Sequence, residues 1–315
     1  MSESEKPGNW EREILEKVAL AAVREQRAAR RWRIFFKLLS LLLLGALLYG
    51  ILTWNGANNL DLHGKHTALV ELKGTIGPND VSADQIIGGL DDAFKDKDTQ
   101  GVILRINSPG GSPVQAGQIY DEMKRLRLKY PKIPLYVVVD DICASGGYYV
   151  AAAADRIYVD KASLVGSIGV LMDGFGFTGT MDKLGVERRL LTAGANKGFL
   201  DPFSPANPQQ VAYAKQMLDQ IHQQFIQAVR EGRGSRLKET PVMFSGLVWT
   251  GAQSIKLGLA DGLGSTDYVA REIIHARKIV DFTPQEGFAD RFAKHLGVTL
   301  AKNINPLAFM GMKIH

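Results

Sequence analysis

One cysteine in 315 residues, Cys143, leaves no intramolecular disulfide and no cysteine-built zinc site. Histidine is sparse as well. The six are His63, His66, His222, His275, His295 and His315, and none falls between Gly101 and Pro205. The excess of one sign of charge is small: a net +5 over this length gives no electrostatic footprint for nucleic acid. There is no low-complexity tract, no strict repeat and no glycine-rich loop ending in Lys-Ser/Thr, so a nucleotide-phosphate loop is absent. What remains, 45% hydrophobic and 23% charged, excludes a disordered or fibrous chain and is enough to bury a sizeable core.

The first positive signal is a long apolar run, Ile34 to Trp54, whose only charge is Lys37 near one end. Its length is about the ~20 residues that a bilayer-spanning helix needs. Trp32 and Trp54 bracket it as interfacial aromatics do, and Arg24, Arg27, Arg30, Arg31 and Arg33 crowd its N-terminal side. On the far side the first basic residue is Lys65. The positive-inside rule then puts residues 1–33 in the cytoplasm and the bulk of the chain across the membrane. No small-x-small cleavage site follows in NGANNLDL, so the run reads as an uncleaved anchor. The expected order is a cytosolic amphipathic segment (1–33), a transmembrane anchor (34–54) and a polar linker (55–66).

From Thr67 onward, β-branched runs alternate with helical patterns. ALVELKGTI, GVILRI, PLYVVVD and DRIYV read as strands; Asp84 to Phe94, Pro113 to Lys129 and Pro208 to Arg230 read as helices. Near-continuous apolar strands between helices predict an α/β fold with a buried, largely parallel sheet. The pattern weakens from about Asp281, which predicts a peripheral extension over 281–315.

Four small-residue loops are candidates for chemistry. In Asn107-Ser108-Pro109-Gly110-Gly111, after the strand GVILRI, two glycines let backbone N–H groups converge on a substrate oxygen. The same residues also make an ordinary tight turn. In Cys143-Ala144-Ser145-Gly146-Gly147, ahead of an alanine-rich helix over Val150 to Ala154, Ser145 is either a plain N-cap or a nucleophile served by the Gly146 N–H. Cys143 reads as a small buried residue. With no histidine among these loops, a Ser-His-Asp triad has no support, and the remaining common base for serine is lysine.

Lys197 sits in an unusual run, TAGANKGFL, followed by Pro202, Pro205 and Pro208. A lysine acting as base near neutral pH must lose roughly three pKa units, about 4 kcal/mol. Gly166-Ser167-Ile168-Gly169 offers a hydroxyl to orient such an amine.

Taken together and in order, NSPGG (107–111), ASGGYYVA (144–151), GSIGV (166–170), TAGANKGFLDPFSP (192–205) and SGLVWTGAQSIKLGLADGLGS (245–265) resemble peptidase family S49, the signal peptide peptidase A family in its short, single-domain bacterial form. The resemblance covers about two-thirds of the chain and implies an S49 peptidase domain over 67–280. It implies a Clp/crotonase-type spiral of ββα units. It also implies Ser145 as nucleophile, Lys197 as general base, Ser167 as the lysine-orienting hydroxyl, and the Gly111 and Gly146 N–H groups as oxyanion hole. No cofactor or metal is implied. The expected substrates are cleaved signal peptides and other apolar peptides, at the outer face of a bacterial cytoplasmic membrane. The resemblance further implies a homo-oligomeric ring whose active sites are shared between protomers. Two rivals stand beside this: a binding scaffold without turnover, and a crotonase-like enzyme acting on acyl-CoA with Asp140 and Asp141 as paired carboxylates.

Overall fold

The structure is a computed structural model and describes residues 9–57 and 64–284. The chain divides into two units, residues 1–63 and 64–315. The first is one helix, α1 (Asn9–Ala57). The amphipathic segment and apolar run expected as separate pieces are thus one continuous element, and it runs three residues into the expected linker, since nothing between Trp10 and Trp54 breaks a helix. Among the described residues no helix is both long and apolar enough to cross a membrane. The expectations for residues 1–8, 58–63 and 285–315, which include much of the linker and of the C-terminal extension, lie outside the described residues.

The second unit runs β1 (His66–Lys73), α2 (Ala83–Lys95), β2 (Thr99–Ser108), α3 (Pro113–Lys129), β3 (Leu135–Ala144), α4 (Gly146–Ala151), β4 (Arg156–Val159) and β5 (Leu164–Gly166). It continues with α5 (Thr178–Leu184), α6 (Pro208–Arg233), β6 (Val248–Thr250), α7 (Gly251–Lys256), β7 (Gly262–Leu263), α8 (Thr266–Tyr268) and β8 (Ile279–Asp281). Helix starts follow local chemistry. Ser82 and Gln85 form a reciprocal capping box on α2, Ser112 caps α3 ahead of Pro113, and Asn207 caps α6 ahead of Pro208.

The strands form one mixed sheet in the order β6-β5-β3-β2-β1-β8, parallel except for the β5–β6 pair. Along β1, Ala68, Val70 and Leu72 enter the main core under the helices, while Leu69 joins a smaller cluster on the opposite face with Ile103, Val138 and Tyr158. That alternation is the two-residue period of a strand buried on both sides. The α/β expectation therefore holds.

β3 is the branch point. Its first half, Tyr136–Val138, pairs with β4, and its last residues, Ile142–Ala144, pair with β5. Between the halves the register with β2 shifts, from Ile106↔Val139 to Ser108↔Cys143, so Asp140 and Asp141 form a bulge. The sequence suggests that the strand stops at these aspartates; instead they bend it and it runs on to Ala144. Ser163 donates to the Asp140 carbonyl at 2.5 Å and secures the bend.

One buried ion pair locks the end of α6 to β4. Arg233, with no exposed side chain, donates twice to Asp261 at 2.9 Å and once to the Gly258 carbonyl. Asp261 also accepts from the Ile157 N–H at 2.7 Å and faces Arg236. Burial alone would raise the Asp261 pKa, but the Arg233 bonds and charge, with Ile157 and Arg236, hold it below the usual carboxylate value. A depressed folded value contributes stability that is fully present above the unfolded pKa of about 4 and is lost as pH falls through the lower folded value. Asp261→Asn leaves Arg233 charged and buried, and should cost about 3–5 kcal/mol in denaturant melts at neutral pH. The difference from the parent should shrink as the melts are made more acidic; a variant as stable as the parent at neutral pH contradicts this account.

Candidate active site

Ser145 stands where β3 ends and α4 begins. Its φ of 51° and ψ of −123° lie in a region that non-glycine residues avoid, at a cost on the order of 1–3 kcal/mol. Its hydroxyl caps no helix amide, so of the two readings of this serine the plain N-cap is removed. The backbone is fixed by Ser145 N–H donating to the Gly166 carbonyl at 2.9 Å and Tyr149 N–H donating to the Ser145 carbonyl at 3.0 Å. The helix begins at Gly146, four residues earlier than the alanine run suggests, because Gly146 and Gly147 leave room for Ser108 and Gly111 to pack against it.

The NSPGG turn lies against this serine. A Cβ on Gly110 would come 2.7 Å from Ser145 Cβ and 2.8 Å from Gly146 N, and one on Gly111 would come 2.1 Å from the Ile76 carbonyl oxygen. Both glycines also have positive φ, so both must be glycine. The turn is shaped by Gly110 N–H donating to Ser108 Oγ at 3.1 Å and by Ile76 N–H donating to the Gly110 carbonyl. The space beside Gly146 is just wide enough for Gly111 N, 3.3 Å from a Cβ built there. The Gly111 and Gly146 N–H groups are thus neighbours next to Ser145, and neither donates to another backbone carbonyl in a turn, loop or cap.

Both glycines and Ser145 line a cleft of about 500 Å³ whose apolar wall is Tyr149, Val170, Leu171, Ile221 and Phe225. Ser167 follows β5 directly. The Ala144↔Gly166 register sets it beside Ser145, with φ 52° and its N–H donating to the Leu247 carbonyl at 2.7 Å.

Lys197 is not brought to this cleft. It sits in an exposed turn closed by its own N–H donating to the Gly194 carbonyl, its side chain makes no ion pair or hydrogen bond among the described residues, and it is not among the cleft-lining residues. The segment around it, from about Leu171 to Ser204, is tied mostly to itself, by the Phe177–Phe203 stack and the Arg188–Asp201 pair. Helix α5 buries nothing, and Phe175 and Leu191 are 80% and 96% exposed.

Cys143 is fully buried and burial pushes its thiol pKa up, which suits packing rather than nucleophilic attack. Asp140 faces Arg105 at 3.7 Å and Asp141 accepts from Asn107 at 2.9 Å. Both line a separate groove of about 990 Å³ that includes none of the Ser145 cleft. Two carboxylates aimed at the same substrate as the glycine amides, which the acyl-CoA reading needs, are not found there. Among the described residues no group of His, Cys, Asp and Glu is arranged to hold a metal.

One residue that the sequence does not single out lies beside the site. His222 on α6 bonds the Ile168 carbonyl through Nε2 at 3.1 Å. Its only sequence cue is its place one residue after Ile221 on a helix whose apolar face was legible.

Comparison with known proteins bears on the whole arrangement. The model of "Peptidase family S49" matches residues 127–279, which hold Ser145, Gly146, Ser167 and Lys197. The chain is 42% identical over 212 residues to a protein of Brucella abortus named Na(+)/H(+) antiporter NhaA, covering 67% of this chain and 29% of that protein. It is 34% identical over 184 residues to the putative protease MJ0651 of Methanocaldococcus jannaschii, 58% of each. With the putative signal peptide peptidase SppA of Enterococcus faecium it shares 29% identity over 189 residues, 60% of this chain and 54% of that one. The chain thus spans under a third of the antiporter-named relative and little more than half of the other two. The matched region runs from the end of α3 to β8 and takes in the serine, its neighbouring amide and the lysine, and on that ground the chain belongs to peptidase family S49.

Proposed function

We propose that the chain is a membrane-anchored serine endopeptidase that cleaves apolar peptides, remnant signal peptides among them, with Ser145 and Lys197 as its dyad. The observation that carries this is Ser145 itself: a strained serine with an uncommitted hydroxyl, beside two neighbouring glycine amides, in an apolar cleft. In the reaction, Lys197 takes the Ser145 Oγ proton as the oxygen attacks the scissile carbonyl. The Gly111 and Gly146 N–H groups hold the oxyanion, and Ser167 orients the amine. The lysine then protonates the leaving amine and activates the water that frees the acyl-enzyme. No cofactor takes part.

A lysine outside its own chain's cleft, on an arm that exposes Leu171, Phe175 and Leu191, supports completion of each site by a neighbouring copy in a ring. The parallel β1–β2–β3 core with a helix between successive strands supports the Clp/crotonase-type spiral. Along α1, Ile34, Phe35, Phe36, Leu38 and Leu41–Leu44 are exposed after Arg30, Arg31 and Arg33. That supports a single-pass anchor with a cytoplasmic N-terminus and the peptidase unit outside a bacterial inner membrane. The substrate class is supported by the name of the Enterococcus relative.

The test is hydrolysis of fluorogenic peptides differing only at the residue before the cleaved bond. A leucine there should give at least about tenfold higher kcat/KM than an aspartate, since an unpaired charge is costly in an apolar pocket. No turnover of any apolar peptide by assembled protein would move the scaffold reading to first place.

A further inference from the structure

The segment Gly166–Leu171 carries Ser167 and then forms one rim of the cleft through Gly169, Val170 and Leu171. It is a strained piece of chain: Gly166 and Ser167 are consecutive residues at φ 114° and 52°. Such a conformation persists only where its surroundings over-determine it. Three backbone bonds do part of this: Ser145 N–H to the Gly166 carbonyl, Ser167 N–H to the Leu247 carbonyl, and Gly169 N–H to the Ser167 carbonyl at 2.9 Å. The Ile168 side chain is buried, which fixes one more point. The Ile168–Gly169 peptide is held at its N–H by the last of these bonds and at its carbonyl by a contact of a different kind, the bond from His222, and among the described residues no other side chain bonds this segment. A carbonyl oxygen only accepts, so Nε2 carries the hydrogen. On the same helix Ile221 and Phe225 face the cleft, so α6 both walls the cleft and pins its rim.

We propose that His222 is a positioning residue of the serine site. By holding the Ile168 carbonyl it fixes the Ser167 hydroxyl and the Gly169–Leu171 rim in their working geometry. This rests on the peptidase reading above.

The experiment compares full-length parent, His222→Leu, His222→Gln and His222→Glu on one apolar fluorogenic peptide, with melting temperature and assembly measured for each. Leucine keeps the packing volume and removes the donor. Its kcat should fall about tenfold, the effect of stranding one carbonyl, while KM stays within about threefold and the melting temperature is little changed. Glutamine places an N–H donor at similar reach and should return kcat to within about threefold of the parent. Glutamate has the same shape without a donor when ionised, and should be at least as impaired as leucine. If the leucine variant does not fold, the glutamine–glutamate pair makes the same comparison. A leucine variant with parental kcat, or glutamine no better than glutamate, overturns the proposal and leaves the peptidase reading standing. A parent without turnover overturns both.

Discussion

Ser145→Ala and Lys197→Ala should each lower kcat/KM on an apolar peptide by about 10⁴-fold or more, while melting temperature and assembly should stay at parental values. The serine loss follows from its position: the uncommitted Ser145 hydroxyl stands at the joint of β3 and α4 beside the Gly111 and Gly146 amides. Alanine should also relieve little strain, because φ near 51° is no easier for it than for serine. Stability therefore should not rise with the loss of activity. The lysine result is the sharper one. Within one chain Lys197 is exposed, unpartnered among the described residues and outside the serine cleft, so a surface-lysine reading expects a change of almost nothing. A 10⁴-fold loss from an exposed, uncommitted side chain has no explanation in the isolated fold and requires that the residue work elsewhere. Lys197→Ala with parental turnover removes the dyad, whatever Ser145→Ala does.

Two inactive variants mixed together should then recover activity. Subunits carrying Ser145→Ala supply an intact Lys197 and subunits carrying Lys197→Ala supply an intact Ser145. In a head-to-tail ring each site draws one residue from each of two neighbours. Random mixing in equal amounts makes about a quarter of the sites complete, so the mixture should reach about a quarter of parental turnover. The rings must be dissociated and reassembled together, with mixed composition shown by a mass tag on one variant. Mixed rings that stay inactive put serine and lysine in the same protomer, and the arm around Lys197 would then have to fold back onto its own cleft.

The elements that the sequence discloses are those whose ends are set by local chemistry. Pro113 at the first position of α3 after Ser112, and Pro208 after Asn207, fix helix starts without reference to anything distant, and both were legible. The parallel pairing of β1, β2 and β3 was legible as buried apolar runs separated by helices. The bend in β3 was not, because Asp140-Asp141 has the composition of a turn and only the pairing of the strand's second half with β5 shows that it continues. The start of α4 was placed too late for a related reason. Two glycines have poor helix propensity, and their use here is set by how closely the Ser108–Gly111 turn approaches.

For the site, the small-residue loops could be found because glycine at a strand exit is informative on its own. That Ser145 does not cap its helix, and that Lys197 stays outside the cleft, needed coordinates. His222 had no signal at all beyond its helix. Its contact with Ile168 joins residues 54 apart, and neither has a motif that anticipates the other.

The branching of β3 bears on how this molecule opens. A strand at a sheet's rim can peel away and leave the rest intact; a strand hydrogen-bonded to β2 along one side, and to β4 and then β5 along the other, has no free side from which fraying can begin. Its amides should exchange with solvent only when the whole unit comes apart, whereas those of the self-tied arm near Lys197 should exchange by small local excursions. On the proposed dyad, the serine would hang from the slowest-opening piece of the chain and the lysine from one of the fastest, so the two halves of the chemistry would belong to opposite ends of its stability range.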